Sequence, residues 1–300
     1  EKERDIAVAL HDRKIETFAI PKKEPNGGSQ SVAIMLASDW HVEETVAPET
    51  VSGLNRYNTE LARKRATMYF QRGLRLIQIE QAATDINTLV LALLGDFVSN
   101  DIHEEVAELT SMPPMEAIML AQELLASGIK CLLDNSKLNL IIPCASGNHG
   151  RTTKTTRFAT EQGHSLEHLM YHNLAHHYAD EPRVKFIVGQ GYHIYLDILG
   201  MAVRFHHGHA LRYQGGVGGL YIPCNKAIAQ WDKAKHADLD CFGHWHQQKD
   251  GGKFISNGSM IGYNAYALSI KADYERPQQA FILIHSRLGR TVVRPILFEE

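Results

Sequence analysis

Val32-Ala33-Ile34-Met35-Leu36-Ala37-Ser38-Asp39-Trp40-His41 is the stretch on which the fold turns. Six apolar residues in succession read as a strand covered on both faces, because such strands run continuously apolar instead of alternating. A carboxylate and an imidazole, Asp39 and His41, follow at once. The arrangement recurs along the chain. Residues 89–94 lead into Gly95-Asp96, and residues 140–146 into Gly147-Asn148-His149. Val203-Arg204-Phe205 leads into His206-His207-Gly208-His209, and residues 239–242 into Gly243-His244-Trp245-His246. Polar groups at the carboxyl ends of sheet strands converge on one crevice, where open α/β sheets place ligands. In Asp-x-His and His-x-His the spacing predicts that both donors of a pair reach one metal, since alternate strand residues share a side.

Working outward, further strand-length apolar runs fall at 184–188, 280–284 and 291–297. Helical patterns fall at 48–83, 115–133 (after Ser111-Met112-Pro113-Pro114), 163–178 and 226–235. Strands alternating with helices imply α/β layering around a largely parallel sheet. The runs after residue 253 lack intervening helices and are expected as antiparallel strands of a second sheet. Residues 1–30 form a charged lead-in that closes on Pro25-Asn26-Gly27-Gly28-Ser29, with an edge strand expected around 14–20. Residues 31–300 are expected as one domain with helical insertions around 101–135 and 155–180. The sequence begins at Glu1 and is compatible with a longer polypeptide upstream.

A length of 300 residues with 44% apolar and 22% charged residues is that of an ordinary globular chain. The net charge of -3 supplies no global basic field for nucleic acid. Cys131, Cys144, Cys224 and Cys241 form no CxxC pair and read as reduced thiols of a cytoplasmic protein. No apolar run approaches the roughly 20 residues of a membrane span. Histidine is the outlier at 17 residues.

The donors after the strands are oxygen and nitrogen without thiolate, a set suited to Mn, Fe, Zn or Ni. Seven donors exceed the need of one ion and suit a pair about 3.5–4 Å apart, the spacing used for in-line phosphoryl displacement. In this order the motifs resemble the calcineurin-like metallophosphoesterase family: Asp-x-His, Gly-Asp, Gly-Asn-His, a His followed by Gly, and Gly-His-x-His. The resemblance covers residues 32 to about 260. It implies a two-sheet β-sandwich flanked by helices, and two divalent metal ions. Asp39, His41 and His246 would hold the first ion and Asn148, His207 and His244 the second, with Asp96 bridging. His207 is chosen over His206 because the family's ligand precedes Gly, here Gly208. His149 would contact the phosphate or protonate the leaving oxygen. Ser256-Asn257-Gly258-Ser259 resembles a turn that many members carry. The family usually follows Gly-Asn-His with an acid that helps hold this histidine, whereas Gly150 and Arg151 stand here. His149 must then be oriented by another group, or work less as an acid and more as a donor to the phosphate.

Arg151 is a candidate phosphate contact through its two-pronged guanidinium. Tyr213, in the glycine-rich stretch after His207, and Asn264, in Tyr263-Asn264-Ala265-Tyr266, are further candidates for substrate binding. His164, His168, His172 and His176 share one helix face and read as a polar surface. Arg63, Lys64, Arg65, Arg72 and Arg75 lie on the first long helix, either as a solvated face or as a track for a nucleic-acid backbone. The expected activity is metal-dependent phosphoester hydrolysis. The favoured substrate is a phosphodiester in DNA or RNA, by resemblance to SbcD-type nucleases and phosphodiesterases. A phosphomonoesterase or protein phosphatase, and a non-catalytic accessory subunit that retains the fold, are the alternatives. A homo-oligomer is compatible with each.

Overall fold

The computed structural model describes residues 29–212, 219–269 and 271–298; the expected edge strand around 14–20, and Tyr213, lie outside them. In chain order the strands are β1 (Gln30–Ala37), β2 (Asp85–Leu93), β3 (Asn139–Cys144), β4 (Val184–Val188), β5 (Ile194–Ile198), β6 (Met201–Phe205), β7 (Leu239–Phe242), β8 (Lys249–Asp250), β9 (Phe254–Ser256), β10 (Gln278–His285) and β11 (Gly289–Leu297). The helices are α1 (Thr59–Glu80), α2 (Glu104–Leu109), α3 (Pro114–Asn135), α4 (Leu166–His177), α5 (Tyr221–Trp231) and α6 (Ala265–Ser269).

One sheet has the order β11-β10-β1-β2-β3-β4 and the other β5-β6-β7-β9-β8. The continuous apolar runs have a direct cause. Val32, Ile34 and Leu36 of β1 pack into the layer between the sheets, while Ala33, Met35 and Ala37 pack under the helices. β2 and β10 divide their side chains in the same way, so neither face can be polar. Helices α1, α3 and α4 lie against the first sheet, with α1 packed on α3 and α3 on α4. The architecture is α/β, a two-sheet β-sandwich flanked by helices.

Two expectations change. β10 and β11 do form an antiparallel pair, but they extend the first sheet alongside β1 instead of belonging to the second. β10 joins there because its alternate residues are apolar on both sides and need cover from both layers. The second sheet is completed by β5, β8 and β9, which the apolar runs did not reveal; β8 and β9 are two and three residues long, too short for periodicity. The helical pattern over 48–83 divides into a 3-10 turn at Pro48–Val51 and α1. The Asn58 side chain starts α1 by accepting the Leu61 amide at 2.9 Å. Among the described residues no helix is long and apolar enough to cross a membrane.

Candidate metal centre

Each motif residue sits just past a strand end, in the loops after the parallel strands β1, β2 and β3 of one sheet and the parallel strands β6 and β7 of the other. Trp40 anchors the first loop: it is fully buried and packs edge-on against Phe97 at 4.9 Å. Backbone bonds then lace the first two loops together, Asp39 N to Gly95 O at 3.0 Å and Trp40 N to Asp96 O at 2.8 Å. The glycines before the donors exist for close approach. A Cβ on Gly147 would run into the Asp96 carboxylate, and one on Gly243 into Ser38 and Asp39.

The donors form two compact groups, Asp39 with His41 and His246, and Asp96 with His207 and His244; within each group the ligand atoms lie within 4.8 Å of one another. In the first, His246 Nε2 is 3.3 Å from His41 Nε2 and 3.4 Å from Asp39 Oδ1. In the second, His207 Nε2 is 2.9 Å from Asp96 Oδ2 and 3.2 Å from Asn148 Oδ1. The groups touch, since the His244 amide donates to both carboxylate oxygens of Asp39 at 3.0 Å. His206 points away from both, lying 3.4 Å from Asp240 and stacked on Phe242.

Strand alternation does not explain the pairs. His244 and His246 part company, one into each group, and all four residues of the two pairs lie beyond their strands. The cause is the backbone. Asp39, His41, Asp96, His244 and His246 have φ of 56, 47, 53, 70 and 54°, the left-handed region. Five of seven candidate ligands thus share a conformation that non-glycine residues seldom adopt and that concentrates at functional sites.

Supporting groups hold the donors. His207 Nδ1 faces Leu94 O at 2.6 Å, leaving Nε2 toward Asp96. His41 Nδ1 lies 2.8 Å from Ser99 Oγ, which donates to Glu44 Oε2 at 2.7 Å; Asn264 Nδ2 donates to Glu44 Oε1 at 3.0 Å. Ser38 Oγ donates to Asp39 Oδ2 at 2.5 Å and accepts from Asn257 Nδ2 at 2.9 Å, so the turn at 256–259 supports the first loop. On α4, Glu167 accepts the Phe97 amide on one oxygen and the Gly147 amide on the other, both at 2.7 Å. Its carboxylate packs where a side chain at position 150 would stand. His149 is oriented instead by the backbone: Nδ1 faces Ser99 O at 2.9 Å and its amide donates to Asp96 Oδ1 at 2.8 Å. Ser99, Glu43, Glu44 and Glu167 carry no motif signal, and only position relative to the loops identifies them.

The charge pattern is that of a cation site. Burial would lower His207, but the Asp96 carboxylate prevails and lifts it to about 10. Burial likewise opposes His246, which Asp39 raises. Burial, with neighbouring imidazoles, holds His41 and His244 well below the ordinary histidine value. In each group, then, a carboxylate favours a proton on one imidazole while burial disfavours one on the other. A divalent ion would displace that proton and take the lone pairs, so the donor set fits a metal in both positions.

The other substrate candidates divide. Asn264 is buried and lines a cavity beside the donors. Arg151 lies near them, but its Nη1 donates to Asn148 O at 2.5 Å and its Nε to Thr153 O at 3.1 Å, so it braces the loop. His168 and His172 meet at 3.1 Å on exposed α4 surface; His164 ends a separate 3-10 turn.

No family model and no curated protein matches the sequence. Solved structures give distant likenesses. An archaeal phosphodiesterase is 15% identical with a TM-score of 0.36, over 88% of this chain and 99% of its own. A dimetal phosphatase from Danio rerio is 10% identical with a TM-score of 0.40, over 89% and 99%. Zinc-bound Vps29 from Entamoeba histolytica is 11% identical with a TM-score of 0.35, over 89% and 99%. At these scores the likenesses carry no argument about function, which rests on the chain's own residues.

Proposed function

We propose that the protein is a two-metal phosphoesterase that cleaves phosphodiesters. The observation that supports it is the pair of donor groups, joined through Asp39 and His244, at one end of the sandwich. Asp39, His41 and His246 would hold one divalent ion, and Asn148, His207 and His244 the other, with Asp96 shared between them. Manganese suits this set, as do iron, zinc and nickel. Bound there, the ions would supply Lewis-acid stabilisation of charge on the phosphate oxygens and a nucleophile at neutral pH.

The chain's own groups do the rest. His149 donates Nδ1–H to Ser99 O, which leaves Nε2 to hold a proton for a phosphate oxygen or the departing alkoxide. Ser99 and Glu44 fix the tautomer of His41, and Leu94 O that of His207. A cavity of about 500 Å³ opens beside His149 and His246, and among the described residues no Lys or Arg lines it. A diester with one negative charge suits such a wall better than a dianionic monoester.

The basic face of α1 gives no support to a nucleic-acid substrate. Arg65 donates to Met260 O at 2.7 Å and Ile261 O at 3.0 Å, Arg72 donates to Leu297 O at 2.6 Å, and Arg63 pairs with Glu123 at 3.2 Å. The test is hydrolysis of bis-(p-nitrophenyl) phosphate beside p-nitrophenyl phosphate by manganese-loaded protein, with a chelated control. Metal-dependent cleavage favouring the diester is expected. Preference for the monoester would replace the diester assignment, and no turnover of either with two ions bound would refute catalysis.

A further inference from the structure

The cavity beside the donors has two unlike walls. The donor wall is His41, Asp96, Asn148, His149, His244 and His246; the opposite wall comes from α2 and α6. That second wall presents Val106, Leu109, Ala265 and Tyr266, with Glu105, Ser269 and, at the start of α2, His103 among them. Glu105 is solvent-exposed, whereas the other two lining carboxylates are buried, Glu44 behind Ser99 and Asn264 and Asp96 among the imidazoles. A ligand whose phosphate sits on the donor groups can extend its organic arm along this face, into the cavity of about 500 Å³.

Resting on the phosphoesterase reading, we propose that the substrate is a small phosphate ester whose organic arm is apolar and carries no negative charge. Val106, Leu109 and Tyr266 would select it by contact, and Glu105 by charge. An apolar arm gains about 25 cal/mol for each Å² it removes from water. A second anionic group there would face Glu105 and buried Glu44 with no Lys or Arg among the described lining residues to balance it. A cationic arm, by contrast, would pair with Glu105 and meet the ring face of Tyr266. A polynucleotide carries a charged phosphate at every nucleotide, so its neighbouring phosphates would bring negative charge to this wall. The volume of about 500 Å³ suits one small arm.

The test pairs binding with turnover on the manganese-loaded chain. Calorimetry would compare phosphorylcholine, benzylphosphonate and phosphoglycolate, which offer similar phosphoryl groups on cationic, neutral and anionic arms. The first two are expected to bind about tenfold more tightly than phosphoglycolate, an effect of one unfavourable charge and lost apolar contact. Replacing the exposed Glu105→Lys should shrink the gap between phosphorylcholine and phosphoglycolate by about two- to fivefold. Val106→Asp should weaken benzylphosphonate most. In turnover, p-nitrophenyl phosphorylcholine and bis-(p-nitrophenyl) phosphate should both exceed cleavage of an oligothymidylate. Equal binding of the three ligands, or tighter phosphoglycolate, would overturn the proposal while leaving phosphoester hydrolysis intact. Faster oligothymidylate cleavage would do the same. Absence of turnover on every ester, with two ions bound, would refute the parent reading and this one with it.

Discussion

The two donor groups have the same formula, one carboxylate and two imidazoles, yet they are held in different ways. The group of Asp96, His207 and His244 is secured by main chain and one helix: Leu94 O orients His207, and Glu167 of α4 grips both neighbouring loops at Phe97 and Gly147. The group of Asp39, His41 and His246 is secured by side chains in series, His41 to Ser99 to Glu44 to Asn264. The Asn264 end of that series lines the cavity beside the donors. The difference teaches that the second ion position depends on how α4 docks, and the first on the wall against which substrate would rest.

The strongest way to break the comparison is at the shared residue. Asp96→Ala should lower phosphodiester turnover at least about a thousandfold, because removing a metal-bridging carboxylate forfeits several kcal/mol of charge stabilisation. Metal analysis should show the loss in both positions, and circular dichroism should show a folded chain. A variant that kept both ions and near-normal turnover would remove Asp96 from the shared role.

Glu167→Gln sharpens it. A glutamine can accept from only one of the two amides, and its own NH₂ would oppose the other. The expected loss is about 10–100-fold in affinity for one ion of the two, the usual cost of disturbing a ligand's support. Ser99→Ala should affect the other position, by about tenfold, through the freed tautomer of His41. Separate binding isotherms for the two ions would check both variants. Equal weakening of both ions by either variant would show that the two supports act as one.

The smallest effect concerns Glu43, whose Oε1 accepts the Ser99 and Asn100 amides at 2.7 and 2.8 Å while Oε2 has no hydrogen-bond partner among the described residues. Burial lifts its carboxyl from the ordinary 4.5 to about 7. The folded value lies above the unfolded one, so the stability this group carries is fully present below pH 4.5 and is lost as pH rises to about 7. Glu43→Gln, which mimics the protonated form, should flatten the stability profile of metal-free protein across that window by about 1–3 kcal/mol. An unchanged profile in chemical denaturation would show Glu43 to be ionised in the folded chain.

The legible part of the molecule was the part with a cause local to the sequence. Residues 32–37 of β1, 89–93 of β2 and 280–284 of β10 are apolar without a break because both faces are covered there, and that pattern is visible in a bare sequence. The donor residues were legible as polar clusters after those runs. Their division into groups had a different origin from the one expected: left-handed backbone at Asp39, His41, Asp96, His244 and His246, which no spacing announces. β8 and β9 were too short to register. Glu167 lies 20 residues from the amide of Gly147 and 70 from that of Phe97, so only the folded chain joins them. The arginines of α1 were visible as charge, but not their use in tying down the backbone near Met260 and Leu297.

The most direct test of the central claim is a manganese titration of metal-free protein in which bis-(p-nitrophenyl) phosphate hydrolysis is followed against bound metal. The two-group account predicts little turnover up to one equivalent and a steep rise to a plateau at two. Full activity at one equivalent, or two bound equivalents without turnover, would contradict it.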